Sequence, residues 1–482
     1  MAQQLSQFRS DLYRMLPKRA DAVLDLIDAL ASMASAESVV ELSLSPLFLR
    51  NFPSVYDAVR HFFEPSSAHK TTHERLDFQE KLLDLIVSYL PKPIHRKFFL
   101  FGVDGVTISR PHAHTLQDRS FVHQPSVIRG NKPITIGHRY SLLTALPEPE
   151  EGDYDHWIFP LVLQRITSHQ KATEVAQEQF DLLLGQDGVG PVGRKSYGVG
   201  PKDELCVAVT DAEYSATSYL ASTHQHENLV TIARFRSNRK LYRPYCASGS
   251  AKKRAQGHPR WYGKAIHVDD KRVWQKPDKT TTAIWTTKRG KKYTVTISAI
   301  VNLRMRGTRT APMHDKPLTL VRIQVTDKEG NAVYRKPLYL IVVGSRQNEL
   351  TLLEIYDAFR KRFDLEHFFR FGKQKLLLAS AQTPDVETEE NWCNIALLAY
   401  LQLYLARKEA NRVRNPWESK IKVEEPGSHT AKSPSEVQRD FARIIQGFGT
   451  PAKPPKTRNK PNGRPQGFKP KSRPRFKVVK KT

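Results

Sequence analysis

Tyr356-Asp-Ala-Phe-Arg-Lys-Arg-Phe-Asp-Leu-Glu-His-Phe-Phe-Arg-Phe-Gly-Lys373 is the stretch around which the rest of the chain is organised. Read as a helix at about 100° per residue, it places Phe359, Arg362, Glu366, Arg370 and Lys373 on one stripe. One acid then stands among three bases on a single face. That arrangement suits a carboxylate holding a divalent cation, with cations beside it gripping phosphates. A solvated face laced with ion pairs would carry the same charges. Leu352, Ile355, Phe359 and Phe363, on or beside the stripe, argue against that. They set Glu366 at the edge of a core, where a carboxylate needs a partner or a metal.

The 482 residues suffice for about two to four domains. A hydrophobic content of 39% and a charged content of 26% fit a soluble globular protein. A formal net charge of +27 implies a polyanionic partner, nucleic acid before an anionic membrane. The first ten residues lack a basic-then-apolar signal pattern, and no apolar run approaches membrane-spanning length, so no membrane partner is expected. Cys206, Cys246 and Cys393 are scattered and odd in number, which points to a reducing compartment without a disulfide framework or cysteine zinc site.

Residues 1–95 read as helical, with apolar periodicity over 20–36, 54–63 and 78–90. They could bind DNA ends, dimerise, or form a plain helical bundle over the next domain. At Lys97 the pattern changes. Phe98-Phe-Leu-Phe-Gly-Val103 is a continuous apolar run of the kind a buried strand shows, and it ends in Asp104-Gly105. Asp104 is either a turn aspartate before glycine or an acid with something charged opposite. Residues 133–142 and 157–163 read as further strands, 164–185 as a helix, and the glycine-rich 185–200 as a connection without the pattern of a phosphate-binding loop. Leu205-Cys-Val-Ala-Val-Thr-Asp211 repeats the apolar strand ending in an acid, followed by a short helix and a strand over 228–235.

From Asn228 to Val268 there is no acid. Arg236, Arg239, Lys240 and Arg243 stand among the bases there, with Tyr242, Tyr245, Trp261 and Tyr262 interleaved, a composition for holding phosphates and stacking on bases. Strands follow over 280–287, 292–302, 318–325 and 333–343. Beyond lie a helix over 389–412, a linker, a short helix over 436–448, and 12 Lys or Arg with no acid from Pro451 to Thr482, expected to be disordered.

The spacing Phe359-x2-Arg362-x3-Glu366-x6-Lys373 resembles the Tyr-x2-Arg-x3-Glu-x6-Lys signature of bacterial insertion-sequence DDE transposases, with Phe359 in place of Tyr. The resemblance covers roughly residues 95–412 and implies an α/β, RNase H-like mixed sheet with helices, interrupted by a β-rich insertion and preceded by a helical domain. The expected boundaries are 1–95, 96–240 (catalytic, first part), 241–345 (insertion), 346–415 (catalytic, second part) and 416–482 (linker and basic tail). The resemblance further implies that Asp104, Asp211 and Glu366 hold two Mg²⁺ ions, with Mn²⁺ as a substitute, while Arg362, Arg370 and Lys373 grip DNA. Trp261, Trp274 and Trp285 are its base-stacking candidates. It implies double-stranded DNA as partner, both element ends and target, a homodimer on paired ends, and a bacterial cytoplasm in contact with the nucleoid. The expected reaction is cut-and-paste transposition. An inactive DNA-binding derivative and a nuclease without strand transfer remain as alternatives.

Overall fold

The structure, a computed structural model, describes residues 2–63, 72–124, 130–150, 154–185, 198–246, 260–287, 290–411, 432–457, 463–469 and 472–480. The chain divides into two compact units. The first comprises Met1–Lys92, Gly105–Lys171 and Asp364–Thr482; the second comprises Pro93–Asp104 and Ala172–Phe363.

The first unit holds helices α1 (Ala2–Met15), α2 (Ala20–Ser32), α3 (Pro53–Arg60) and α4 (Thr72–Val87). It also holds the second half of strand β1 (Phe98–Ser109), with β2 (Ser120–His123), β3 (Ile134–Ala145) and β4 (Phe159–Ile166). Strand β3 pairs antiparallel with both β2 and β4. In α2, every residue from Ala22 to Ala31 is buried, Asp25 and Asp28 included.

The second unit opens with the first half of β1. It continues with helix α5 (Ala172–Leu184), β5 (Leu205–Thr210), helix α6 (Thr217–Ser222) and β6 (Leu229–Arg234). A two-stranded ribbon, β7 (Lys240–Pro244) with β8 (Tyr262–His267), stands apart from the main sheet. Strands β9 (Lys279–Thr286), β10 (Lys292–Leu303), β11 (Leu318–Thr326) and β12 (Leu338–Val343) complete the main sheet, and helix α7 (Leu352–Lys361) follows. Within this unit β1, β5 and β6 run parallel, β12 joins β6 antiparallel, and β11, β10 and β9 follow in that order. All six residues of β5 are buried, as expected of a parallel strand covered on both faces. Phe180 of α5 meets Phe101 of β1 edge-on, with ring centroids 6.4 Å apart.

Back in the first unit, α8 (Phe363–Lys375, all but its first residue), α9 (Val386–Ala406) and α10 (Pro434–Phe448) complete the α-helices among the described residues. Helix α2 packs on α9 and α10, and α9 packs on β4. From Trp392 to Ala406 only Asn394 of α9 is not buried, the signature of a helix apolar all round. The mixed sheet with its helices is RNase H-like.

Several local expectations change. Asp104 and Gly105 lie within β1, which runs on to Ser109, so this Asp-Gly pair is no turn. A Cβ on Gly105 would stand 2.7 Å from the Arg139 guanidinium, which accounts for the glycine. Residues 164–166 belong to β4, held by pairing such as Tyr140 with Arg165, and the helix starts only at Ala172. The last strand begins at Leu338 rather than at 333, just after Pro337, which has no N–H for a ladder. The expected single helix over 356–373 is two, parted at Arg362, whose N–H bonds Phe359 three residues back. The expected disorder of the C-terminal tail does not extend to residues 472–480, where backbone bonds seat Phe476 and Val479. Most of the glycine-rich 185–200 stretch and of the linker after residue 416 lies outside the described residues.

Candidate active site

The parallel register of β1 and β5 runs from Phe98 opposite Leu205 to Val103 opposite Thr210. The next position on each strand is an aspartate, Asp104 on one and Asp211 on the other. Asp211 keeps extended backbone, φ −79° and ψ −180°. Neighbouring strands lie about 4.8 Å apart, and residues at one register level share a face of the sheet. Two carboxylates distant in sequence are thereby set side by side. Register also gives a particular place to Arg234, one of the bases of the acid-free stretch. Thr210 lies opposite Ala233, so Arg234 follows beside Asp211. Arg234 Nη1 stands 4.0 Å from Asp211 Oδ1.

Arg362 Nη1 donates to Asp104 Oδ2 at 3.0 Å, and its side chain is only 8% exposed. Its guanidinium carbon lies 5.2 Å from the Phe363 ring centroid and 5.9 Å from that of Phe359. The arginine is held by apolar packing at the point where α7 gives way to α8. Phe359 is buried and supplies ring packing without a hydroxyl. Asp211 is more open, but its Oδ1 is a buried atom that accepts no hydrogen bond from the described residues.

The other residues expected on the Arg362 stripe, Glu366, Arg370 and Lys373, belong to the first unit, on α8. Glu366 is exposed, a correction to its expected place at a core edge: the apolar contacts of this helix come from Leu365, Phe368 and Phe371 instead. Arg370 and Lys373 are exposed as well. Desolvation by nearby protein nevertheless holds the Lys373 ammonium below its ordinary pKa. On the same helix Asp364 is bonded by His156 Nδ1 at 2.6 Å, and His156 stacks on His367 with centroids 4.6 Å apart.

The expected DNA contacts in the second unit differ in availability. Arg236 and Lys240 are exposed. Arg239 donates to the Ser215 carbonyl and lies over the Phe235 ring, while Arg243 forms a two-pronged ion pair with Asp278. Lys252, Lys253 and Arg254 lie outside the described residues. Trp261 is 37% exposed and stacks on His314 at 3.6 Å. Trp285 stacks on Tyr293, with the Arg360 guanidinium 4.7 Å from its ring. Trp274 is buried and donates to the Val268 carbonyl, so its ring is taken up by the protein's own packing.

Among the described residues, no group of three or more His, Cys, Asp or Glu side chains is placed to hold a metal ion. Magnesium, however, is commonly held by one or two carboxylates, with waters and substrate phosphates completing the shell. Two aspartates at one register level, one with a buried oxygen that has no donor among the described residues, fit that requirement. A second buried acid, Glu389, does not. Arg110 Nε and His138 Nδ1 each lie 2.6 Å from it and Tyr140 Oη 2.9 Å, so its bonding is already complete.

The family described as DDE superfamily endonuclease matches residues 11–297, more than half of the chain. The match includes Asp104 and Asp211 and ends before Arg362. No curated protein matches the chain.

Proposed function

The chain belongs to the DDE superfamily endonucleases, and on that premise we propose that it is a transposase that cuts DNA at the ends of a mobile element and joins those ends to target DNA. The observation that carries the reading is the shared register level of Asp104 and Asp211 on adjacent parallel strands. Glu366 is proposed as the third carboxylate, on its spacing from Arg362. These three acids would hold two Mg²⁺ ions, with Mn²⁺ as a substitute. Bound there, the ions supply Lewis acidity to the attacking water or 3′-hydroxyl and to the leaving oxygen of an in-line displacement.

The chain's own residues prepare the site. Arg362 fixes the Asp104 carboxylate through a charge-assisted bond and offsets part of the repulsion between two adjacent anions. Arg234 does the same at longer range for Asp211. Arg370 and Lys373, together with Arg236 and Lys240, are proposed to hold DNA phosphates. Two protomers would act on paired ends, in a bacterial cytoplasm beside the nucleoid.

The test incubates purified protein and Mg²⁺ with DNA carrying the sequences that flank this gene, wild type beside Glu366→Gln. Discrete cuts followed by joining, lost in the variant while DNA binding persists, are expected. Loss of binding together with chemistry counts against the role of Glu366. Binding without metal-dependent cutting in either protein indicates an inactive DNA-binding derivative. Cutting without joining indicates a nuclease.

A further inference from the structure

The C-terminal segment 472–480 has the composition of a loose cationic tail but is seated by two backbone hydrogen bonds and one isolated bridge. Phe476 N–H donates to the His114 carbonyl at 2.8 Å, and Val479 N–H to the Arg119 carbonyl at 2.7 Å. Val479 forms a parallel bridge with Ser120, the first residue of β2. Arg119, 1% exposed, clamps the seat from below. Its guanidinium donates to the carbonyls of Leu116, Arg110 and Pro111, and to that of Phe476 at 3.2 Å. Phe476, Val478 and Val479 are partly covered, while Arg473, Arg475 and Lys477 are exposed. The three exposed cations flank the partly covered Phe476 within a short stretch of chain, which spans at most about 13 Å. Among the described residues none of the three has an ion-pair partner.

We infer that segment 472–480 is a fixed phosphate rail: by bonding its backbone to the stretch 114–120, the fold presents Arg473, Arg475 and Lys477 in line to the backbone of double-stranded DNA. The chemistry suits a polyanion carrying a charge about every 1.7 Å of its axis. Ordering the segment beforehand spares the entropy that a loose tail would lose on binding. The inference rests on the DNA reading above, and its test separates the two.

Binding of a random-sequence duplex is measured by fluorescence anisotropy from about 50 to 200 mM salt, the range over which phosphate contacts are resolved. Three proteins are compared: wild type, the neutralised Arg473→Gln/Arg475→Gln/Lys477→Gln, and Phe476→Pro/Val479→Pro. The last keeps every charge but removes both N–H groups that seat the segment. The neutralised protein is expected to lose about 2.7 from the slope of log affinity against log salt, about 0.9 per phosphate contact. The proline variant is expected to lose most of the same amount. Wild-type slope and affinity in the proline variant would show a loose tail and overturn the rail. Unchanged binding in the neutralised protein, whose changes lie at exposed positions, overturns it without any question of misfolding. Failure of the wild type itself to hold duplex overturns the rail and the DNA reading together.

Discussion

Replacing Glu389 by glutamine should destabilise the first unit by about 3–5 kcal/mol, the usual cost of removing one partner from a buried ion pair. Glu389 is 0% exposed, and Arg110 and His138 are each 2% exposed, so water cannot take the place of the lost carboxylate. The glutamine amide would turn N–H groups towards Arg110 Nε or His138 Nδ1. His138 also contacts the Gln117 carbonyl through Nε2 at 2.8 Å, so the ring is held from both sides and cannot swing away from position 389. Thermal unfolding followed by circular dichroism should show a loss of at least about 6 °C, at roughly 2 °C or more per kcal/mol for a unit of this size. Burial works to raise the Glu389 carboxyl, but the His138 hydrogen bond and the Arg110 charge outweigh it and hold the group below its ordinary pKa. A depressed acid contributes stability above its unfolded value, about 4.3, and that contribution is lost as pH falls through the folded value. The wild type should therefore lose stability below about pH 4.3 more steeply than Glu389→Gln. A loss under about 1 kcal/mol, within the range of an exposed ion pair, would refute the account of a closed, fully bonded cluster.

Asp25 behaves in the opposite sense. Burial raises its carboxyl to about 6 in spite of Arg50, whose Nε lies 3.0 Å away. Its folded form binds a proton more tightly than the unfolded chain, so stability should fall as pH rises from about 4 to about 6. Asp25→Asn should flatten that part of a urea-denaturation series against pH, and an unchanged slope would count against it. Gly137→Ala should also destabilise the first unit, since a Cβ there would lie 2.1 Å from the Ile108 carbonyl oxygen. Forcing backbone apart at such a contact costs on the order of 1–3 kcal/mol, and a neutral result in chemical denaturation would show that the strands can shift.

The strands that carry the two aspartates were legible in the sequence, because strands buried on both faces read as unbroken apolar runs. Their register was not, since it depends on a partner more than a hundred residues away and on everything packed around the sheet. For the same reason Asp104 could be read as a turn residue and Arg234 as one more base in an acid-free stretch. The acid that engages Arg243 is Asp278, just beyond that stretch. Glu366 was placed by spacing, but its exposure was misjudged because the apolar residues around it turn to other sides of α8. The tail shows how composition can mislead. Its charges suggested a solvated segment, while the signal for seating was small, Phe476 and Val478 alternating with cations.

The order in which the chain is made gives the discontinuous first unit a particular history. Helix α2 packs on α9 and α10, yet Ser32 and Val386 are separated by more than 350 residues. At about 5–20 residues per second, a ribosome takes on the order of twenty to seventy seconds to cover that distance. For all of that time a helix whose middle ten residues are destined for burial has none of its final neighbours from α9 or α10. Early interruption of synthesis should thus release a fragment prone to aggregate, and expression should depend on chaperones that shelter the first helices until the last arrive.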